Sequence, residues 1–135
     1  MSNVSISLEH GGKKYAAEIA TIEATTLGIE DHGVWSACLQ LAGSSWGQVA
    51  GGYCLDRPST EGGSARRVGT AFGMDHIMAI VETLGCRDWE HVKGQRCLVL
   101  REDAYGSIHG IANLTGENVL VVAEHAAQWQ LEMTS

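Results

Sequence analysis

The run Ser64-Ala65-Arg66-Arg67-Val68-Gly69-Thr70-Ala71-Phe72-Gly73 carries the strongest chemical signal in this 135-residue chain. Two guanidiniums precede a helix start that contains glycine and threonine. The first amides of a helix point at an incoming anion, glycine lets it come close, and arginine forks match phosphate oxygens. The sharp reading is phosphate or pyrophosphate recognition through Arg66, Arg67 and Thr70. The bland one makes both arginines solvated charges and Gly73 an aid to packing. The P-loop spacing Gly-x-x-x-x-Gly-Lys-Ser/Thr is missing.

A second group lies towards the C-terminus. Arg101, His109 and Asn113 fall on an expected hairpin, where odd numbering gives His109 and Asn113 one face. A guanidinium, an imidazole and an amide on one sheet surface could read a base edge or a ribose. They could equally be exposed polar strand residues. Glu30-Asp31-His32 with His10, His91 or His125 suggests a metal or acid–base site, but the six histidines lack ligand spacing. No serine sits in a Gly-x-Ser-x-Gly elbow, so catalysis has no anchor. The residues therefore predict a binding protein, not an enzyme, with no metal and no cofactor.

The elements that must position these residues follow from pattern. Val4, Ile6 and Leu8 alternate with polar residues, Gly11-Gly12 offers a turn, and Lys14 to Glu23 resumes as strand. Leu27 to Gly33 reads as a loop, Val34 to Leu41 as a strand and Gln48 to Leu55 as its return. Gly51-Gly52 there predicts a bulge or a close backbone approach. Arg57 to Ala65 reads as a ligand-dependent loop. A helix is expected from Ala71 to Leu84, with Ile77, Ile80, Val81 and Leu84 as its core stripe. Phe72, His76, Ala79 and Thr83 form a second stripe, facing a subunit, a ligand or more of the domain. Asp75 favours the positive helix end, and Gly85 stops the helix. Asp88 caps a short turn through Trp89 to Val92. Gln95 to Glu102 and Ser107 to Leu114 make a hairpin, Val119 to Ala123 a covered strand, and Glu124 to Glu132 a terminal helix. The order predicts an α+β fold: an N-terminal antiparallel sheet, two short central helices and a C-terminal β-hairpin.

Length fits one domain over residues 1–135. A net charge of −7 argues against binding duplex nucleic acid, where phosphate neutralisation supplies the affinity. No apolar run approaches the ~20 residues a membrane helix needs, and the N-terminus lacks a secretory pattern, so a cytoplasmic protein is expected. Cys38, Cys54, Cys86 and Cys97 form no Cys-x-x-Cys pair and read as buried free thiols in a reducing compartment. Trp35 and Trp89 are the expected core pair of the four tryptophans.

Several segments together resemble a known group. Thr26-Leu27-Gly28-Ile29-Glu30-Asp31-His32-Gly33 precedes Gly51-Gly52-Tyr53-Cys54-Leu55-Asp56. Arg67-Val68-Gly69-Thr70-Ala71-Phe72-Gly73-Met74 and Trp89-Glu90-His91-Val92-Lys93-Gly94 follow. The series spans about two-thirds of the chain and resembles small phage and prophage proteins. The organisation is most similar to the phage anti-Thoeris sponge proteins. That resemblance implies a homodimer or larger homo-oligomer that sequesters a host cyclic ADP-ribose-type signal, or a cyclic oligonucleotide, without degrading it. Read from the residues themselves and not carried over from that group, a sequestration mechanism has Arg66, Arg67 and the helix start take the pyrophosphate. Phe72 or His76 meets the base, and Arg57 and Arg101 close the pocket. The main alternative is an acidic phage inhibitor that docks on a host protein. A small hydrolase or transferase using Asp31 and His32 is the third.

Overall fold

The computed structural model describes residues 6–29, 33–59, 66–103 and 106–134, with residues 52 and 130–134 described by backbone alone. Strand β1 (Ile6–His10) turns back at Gly11-Gly12, both in left-handed backbone, into β2 (Lys13–Ile29). There follow β3 (Trp35–Ala42), β4 (Gly47–Cys54), the short β5 (Asp56–Pro58) and β6 (Arg67–Gly69), and helix α1 (Ala71–Thr83). A single 3-10 turn (Trp89–His91) leads to β7 (Arg96–Arg101), β8 (Ile108–Ala112), β9 (Val119–Val121) and helix α2 (Val122–Thr134). The α+β class and the antiparallel sheet expected from pattern are what the chain adopts.

Strand β2 organises the sheet. Its first residues pair with β1 and its last with β3 along one edge; along the other, residues 16–21 pair with β7. The main sheet runs β4-β3-β2-β7-β8-β9, with β1 on β2, and β5 and β6 form a separate ribbon. Both faces of the sheet carry apolar side chains. One holds Ala20, Ile22, Leu39, Leu41, Val99 and Ile111 beneath Ile80 of α1. The other holds Tyr15, Ala17, Leu98, Leu100 and Ala112 with Ile6 and Leu8. Two faces explain why strand β7, Arg-Cys-Leu-Val-Leu-Arg, is apolar without alternation.

The structure moves several sequence boundaries. Leu27, Gly28 and Ile29 belong to β2 rather than to a loop, and Glu30 to His32 lie outside the described residues. Arg57 and Pro58 form β5 instead of opening a loop, whose residues 60–65 are likewise outside the description. The covered strand ends at Val121, and α2 begins there. In α1, the stripe turned to the sheet is Gly73, His76, Ile80 and Thr83, while Ile77, Val81 and Leu84 are only partly covered. So the second stripe meets more of the domain. Trp35 is 43% exposed and is no core partner of Trp89, which packs at the core margin. Cys97 is buried, but Cys54 is exposed; all four thiols are free.

The start of α1 shows what its glycine is for. Thr70 is the N-cap: its hydroxyl accepts from the Gly73 amide at 2.9 Å and donates to the Leu55 carbonyl at 3.1 Å. Gly73 rests on that same carbonyl, which would lie 2.2 Å from an added Cβ. A backbone atom is in the way, and neither the helix nor the buried Leu55 link between β4 and β5 can yield cheaply. Gly73→Ala is expected to destabilise by about 3 kcal/mol, although alanine is worth about 1 kcal/mol more than glycine inside a helix. Urea denaturation of the two proteins checks the sign.

Candidate functional site

The sheet ends β4 and β8–β9 are far apart in strand order, yet they line one cavity of about 270 Å³. Beside them stand Ala37 and Leu39 of β3, His76 and Ile80 of α1, and Val122 and Ala123 of α2. Most of the wall is apolar. Gln48, Tyr53, His76, Ser107 and His109 supply its polar side chains.

Two irregularities aim these groups. Between Ala37 and Cys38 the β3–β4 register shifts, around a Gly51 held at φ +129°. An added Cβ at Gly51 would sit 2.3 Å from the Ala37 carbonyl, so the bulge and close approach expected at Gly51-Gly52 are both present. The bulge restores pairing at Tyr53 opposite Ala37 and so carries Tyr53 to the cavity wall. A second register shift, opposite Leu100 and Arg101, leaves His109 between Ile108 and Gly110 with all three on the wall. That shift also ends the simple alternation by which His109 and Asn113 were expected to share a face. Asn113 lies beyond β8 and builds the next turn: its side-chain oxygen accepts from the Asn118 amide at 3.0 Å, and its own amide donates to the Asn118 carbonyl.

His76 is the focus of the site. It is 1% exposed, its ring lies 5.7 Å from Tyr53 and 5.5 Å from Phe72, and its Nδ1 hydrogen-bonds to no protein group. Burial, and secondarily the neighbouring His125, push its pKa down to about 4, so at neutral pH it is an uncharged imidazole. His125 stands behind it, 6.1 Å between ring centres. The His125 Nε2 donates to the Asp75 carboxylate at 2.7 Å, and Trp129 Nε1 donates to the same oxygen at 2.9 Å. Those two hydrogen bonds hold the Asp75 carboxyl below its usual range. Asp75 thus ties α2 to α1, which is a different task from the helix-end role its position suggested.

One side of the site is held by a polar clasp. Arg101 is a buried arginine at the end of β7. It donates to Glu18 at 3.2 Å, Gln48 at 3.3 Å and the Gly106 carbonyl at 3.1 Å, and its guanidinium lies 4.4 Å from the Trp46 ring centre. Trp46 Nε1 donates to the same Glu18 oxygen at 2.8 Å. The clasp joins β2, β4 and β7, and fixes Gln48 on the cavity wall.

Of the residues expected to bind, the structure brings together His76 and His109 on the wall, Phe72 behind His76, and Arg101 through Gln48. The others lie elsewhere. Arg67 is paired with Asp56, through Nε at 2.6 Å and Nη2 at 3.1 Å, and this holds the Asp56 carboxyl down at about 2. Arg57 reaches the Pro58 carbonyl, and the Arg66 carbonyl accepts from the Ser59 amide. With Thr70 and Gly73 engaged on Leu55, the packing role of Gly73 is the one the structure shows. Sequence reasoning missed Tyr53, Gln48, His125 and Asp75. The alternation of Gln48 and Ala50 in β4, continued across the Gly51-Gly52 bulge to Tyr53, is the signal that could have found the first two.

Among the described residues no cluster of three or more His, Cys, Asp or Glu side chains is arranged to hold a metal, and no helix is long and apolar enough to cross a membrane. In comparisons with known proteins, no family model matches the sequence, and neither a curated protein nor a solved structure does.

Proposed function

We propose that this chain is a binding protein that captures a small planar heterocycle, the base portion of a cyclic nucleotide signal, and releases it unchanged. The observation that carries this is the cavity lining: the ring of a buried, uncharged imidazole, 5.7 Å from the Tyr53 phenol ring, set among apolar walls that also carry the Gln48 amide and a second imidazole, His109. Uncharged donors and acceptors suit a heterocycle edge, and the apolar walls suit its faces. At about 270 Å³ the cavity lies just below the ~300–1,000 Å³ of small-molecule sites. It fits a base with part of its sugar, and leaves phosphates at the mouth. The ligand class comes from the resemblance noted above; the pocket chemistry supports the base and not an arginine-lined phosphate cradle.

The test is to incubate the protein with cyclic ADP-ribose isomers and cyclic oligonucleotides, wash it, denature it with heat and identify what is released by mass spectrometry. One intact cyclic nucleotide is expected. Tyr53→Ala and Gln48→Ala should each lower its affinity by tenfold or more in calorimetric titration, roughly 1.4 kcal/mol per tenfold. A linearised product would replace sequestration with catalysis. Binding of nothing in the panel would remove the nucleotide reading and leave the acidic inhibitor of a host protein as the better one.

A further inference from the structure

The core face of the sheet is covered by α1 over β3, β8 and β9, but one corner of it is not. Thr25, Leu27 and Ile29 of β2 pair with Leu39, Ala37 and Trp35 of β3, so they share the face that Leu39 buries. At this corner Leu27 is 40% exposed, Ile29 64% and Trp35 43%. The outer stripe of α1 continues the patch with Met74, 59% exposed, and Met78, 45% exposed. Between helix and sheet lies a recess of about 400 Å³, and among the described residues its only charged lining groups, Asp56 and Arg67, neutralise each other. A face that is core elsewhere is left unfinished here.

The same corner exposes a strand edge. Beyond Ile22, whose amide and carbonyl bond to Gln95 and Gly94, the β7 side of β2 has no strand partner among the described residues. Residues 24–29 read Ala-Thr-Thr-Leu-Gly-Ile. They contain no charge and no proline, the devices that usually block edge pairing, and Thr25, Thr26 and Ile29 favour extended chain.

We propose that this corner is a twofold interface between two copies of the chain, formed by antiparallel pairing of residues 24–29 across the axis with Met74, Met78 and Trp35 packed over it. A second copy fits better than a partner of opposite charge, because the described residues of the patch offer no net charge to grip. An antiparallel edge is also its own complement under a twofold axis. The five exposed side chains amount to on the order of 500 Å² per copy, at the upper end of what monomers leave uncovered. Doubled and extended by the paired edge, that area approaches the roughly 1,200–2,000 Å² of stable interfaces. The interface lies on different residues from the ligand cavity, so either assignment can fail alone.

Sedimentation velocity of the full chain across the micromolar range tests it. The wild type is expected to sediment as a dimer. Ile29→Lys and Met74→Glu should each run as monomers with unchanged circular dichroism, while Leu114→Lys, on an exposed turn elsewhere, should remain dimeric. Hydrogen exchange on the wild type needs no variant: amides within residues 24–29 should slow as concentration rises. A wild type that stays monomeric, a dimer that survives both substitutions, or exchange at 24–29 that ignores concentration would each overturn the proposal.

Discussion

Replacing Arg101 by alanine is expected to destabilise the protein by about 3 kcal/mol, read as a lower urea midpoint at unchanged slope. The side chain is 8% exposed and serves four groups at once: the Glu18 carboxylate, the Gln48 amide, the Gly106 carbonyl and the Trp46 ring. Alanine removes the cation over Trp46, worth about 0.5–2 kcal/mol by itself. It also removes the packing of a buried stem, while the exposed Gln48 amide and the half-buried Gly106 carbonyl can turn to water. Glu18 is the smaller concern, since its side chain is 40% exposed and keeps the Trp46 donor. Arg101→Met separates packing from charge by keeping the buried stem, and should recover only part of the loss. Arg101→Lys should not restore stability either, because an ammonium cannot direct its hydrogens in the plane of the guanidinium towards three acceptors. Loss of the clasp also frees Gln48, so ligand affinity should fall in parallel with stability.

The same arginine shows what sequence could and could not reveal. Its type and strand were legible, and so were the antiparallel hairpins, the two helices, the Asp88 cap and the glycine stop at Gly85, because these depend on local spacing and backbone sterics. Its partners were not legible: Glu18 lies 83 residues away and Gln48 53, and only the curl of the sheet brings them together. Arg67 failed in the opposite direction. Beside a helix start it reads as an anion receptor, yet Asp56, eleven residues earlier, claims the fork once β5 and β6 pair. His76 was legible as a residue on a non-solvent stripe, but its neutral state was not. That state depends on burial and on His125, 49 positions away in the chain. A 3.6-residue period shows that two stripes exist; the sheet decides which of them is covered.

Lowering the pH from 7 to about 4 is expected to cost on the order of 3 kcal/mol of folding stability through His76 alone. Burial holds the folded imidazole near a pKa of about 4, whereas in the unfolded chain it returns to its ordinary value near 6.5. Between those values the unfolded state binds the additional proton, so stability rises with pH through the window. The contribution is fully present above about 6.5 and is lost as pH falls through the folded value. Asp75 and Asp56 act lower: both carboxyls are held below their usual range, so their stabilisation disappears only in more acidic solution. His76→Phe isolates the imidazole, because groups that titrate in both proteins cancel in the comparison. The aromatic replacement fits a site already stacked on Phe72 and flanked by the tilted Tyr53 ring, and it removes a buried nitrogen that has no protein partner. Chemical denaturation at a series of pH values should therefore show a flatter profile for His76→Phe and equal or greater stability at pH 7. Ligand affinity in the same variant should fall by tenfold or more, since phenylalanine takes the polar edge of the imidazole out of the cavity lining. A variant that is stabilised but cannot bind would mean that the chain keeps an uncomfortable polar group in its core for its ligand's sake. A variant that binds undiminished would return His76 to the core and remove the central residue of the proposed site.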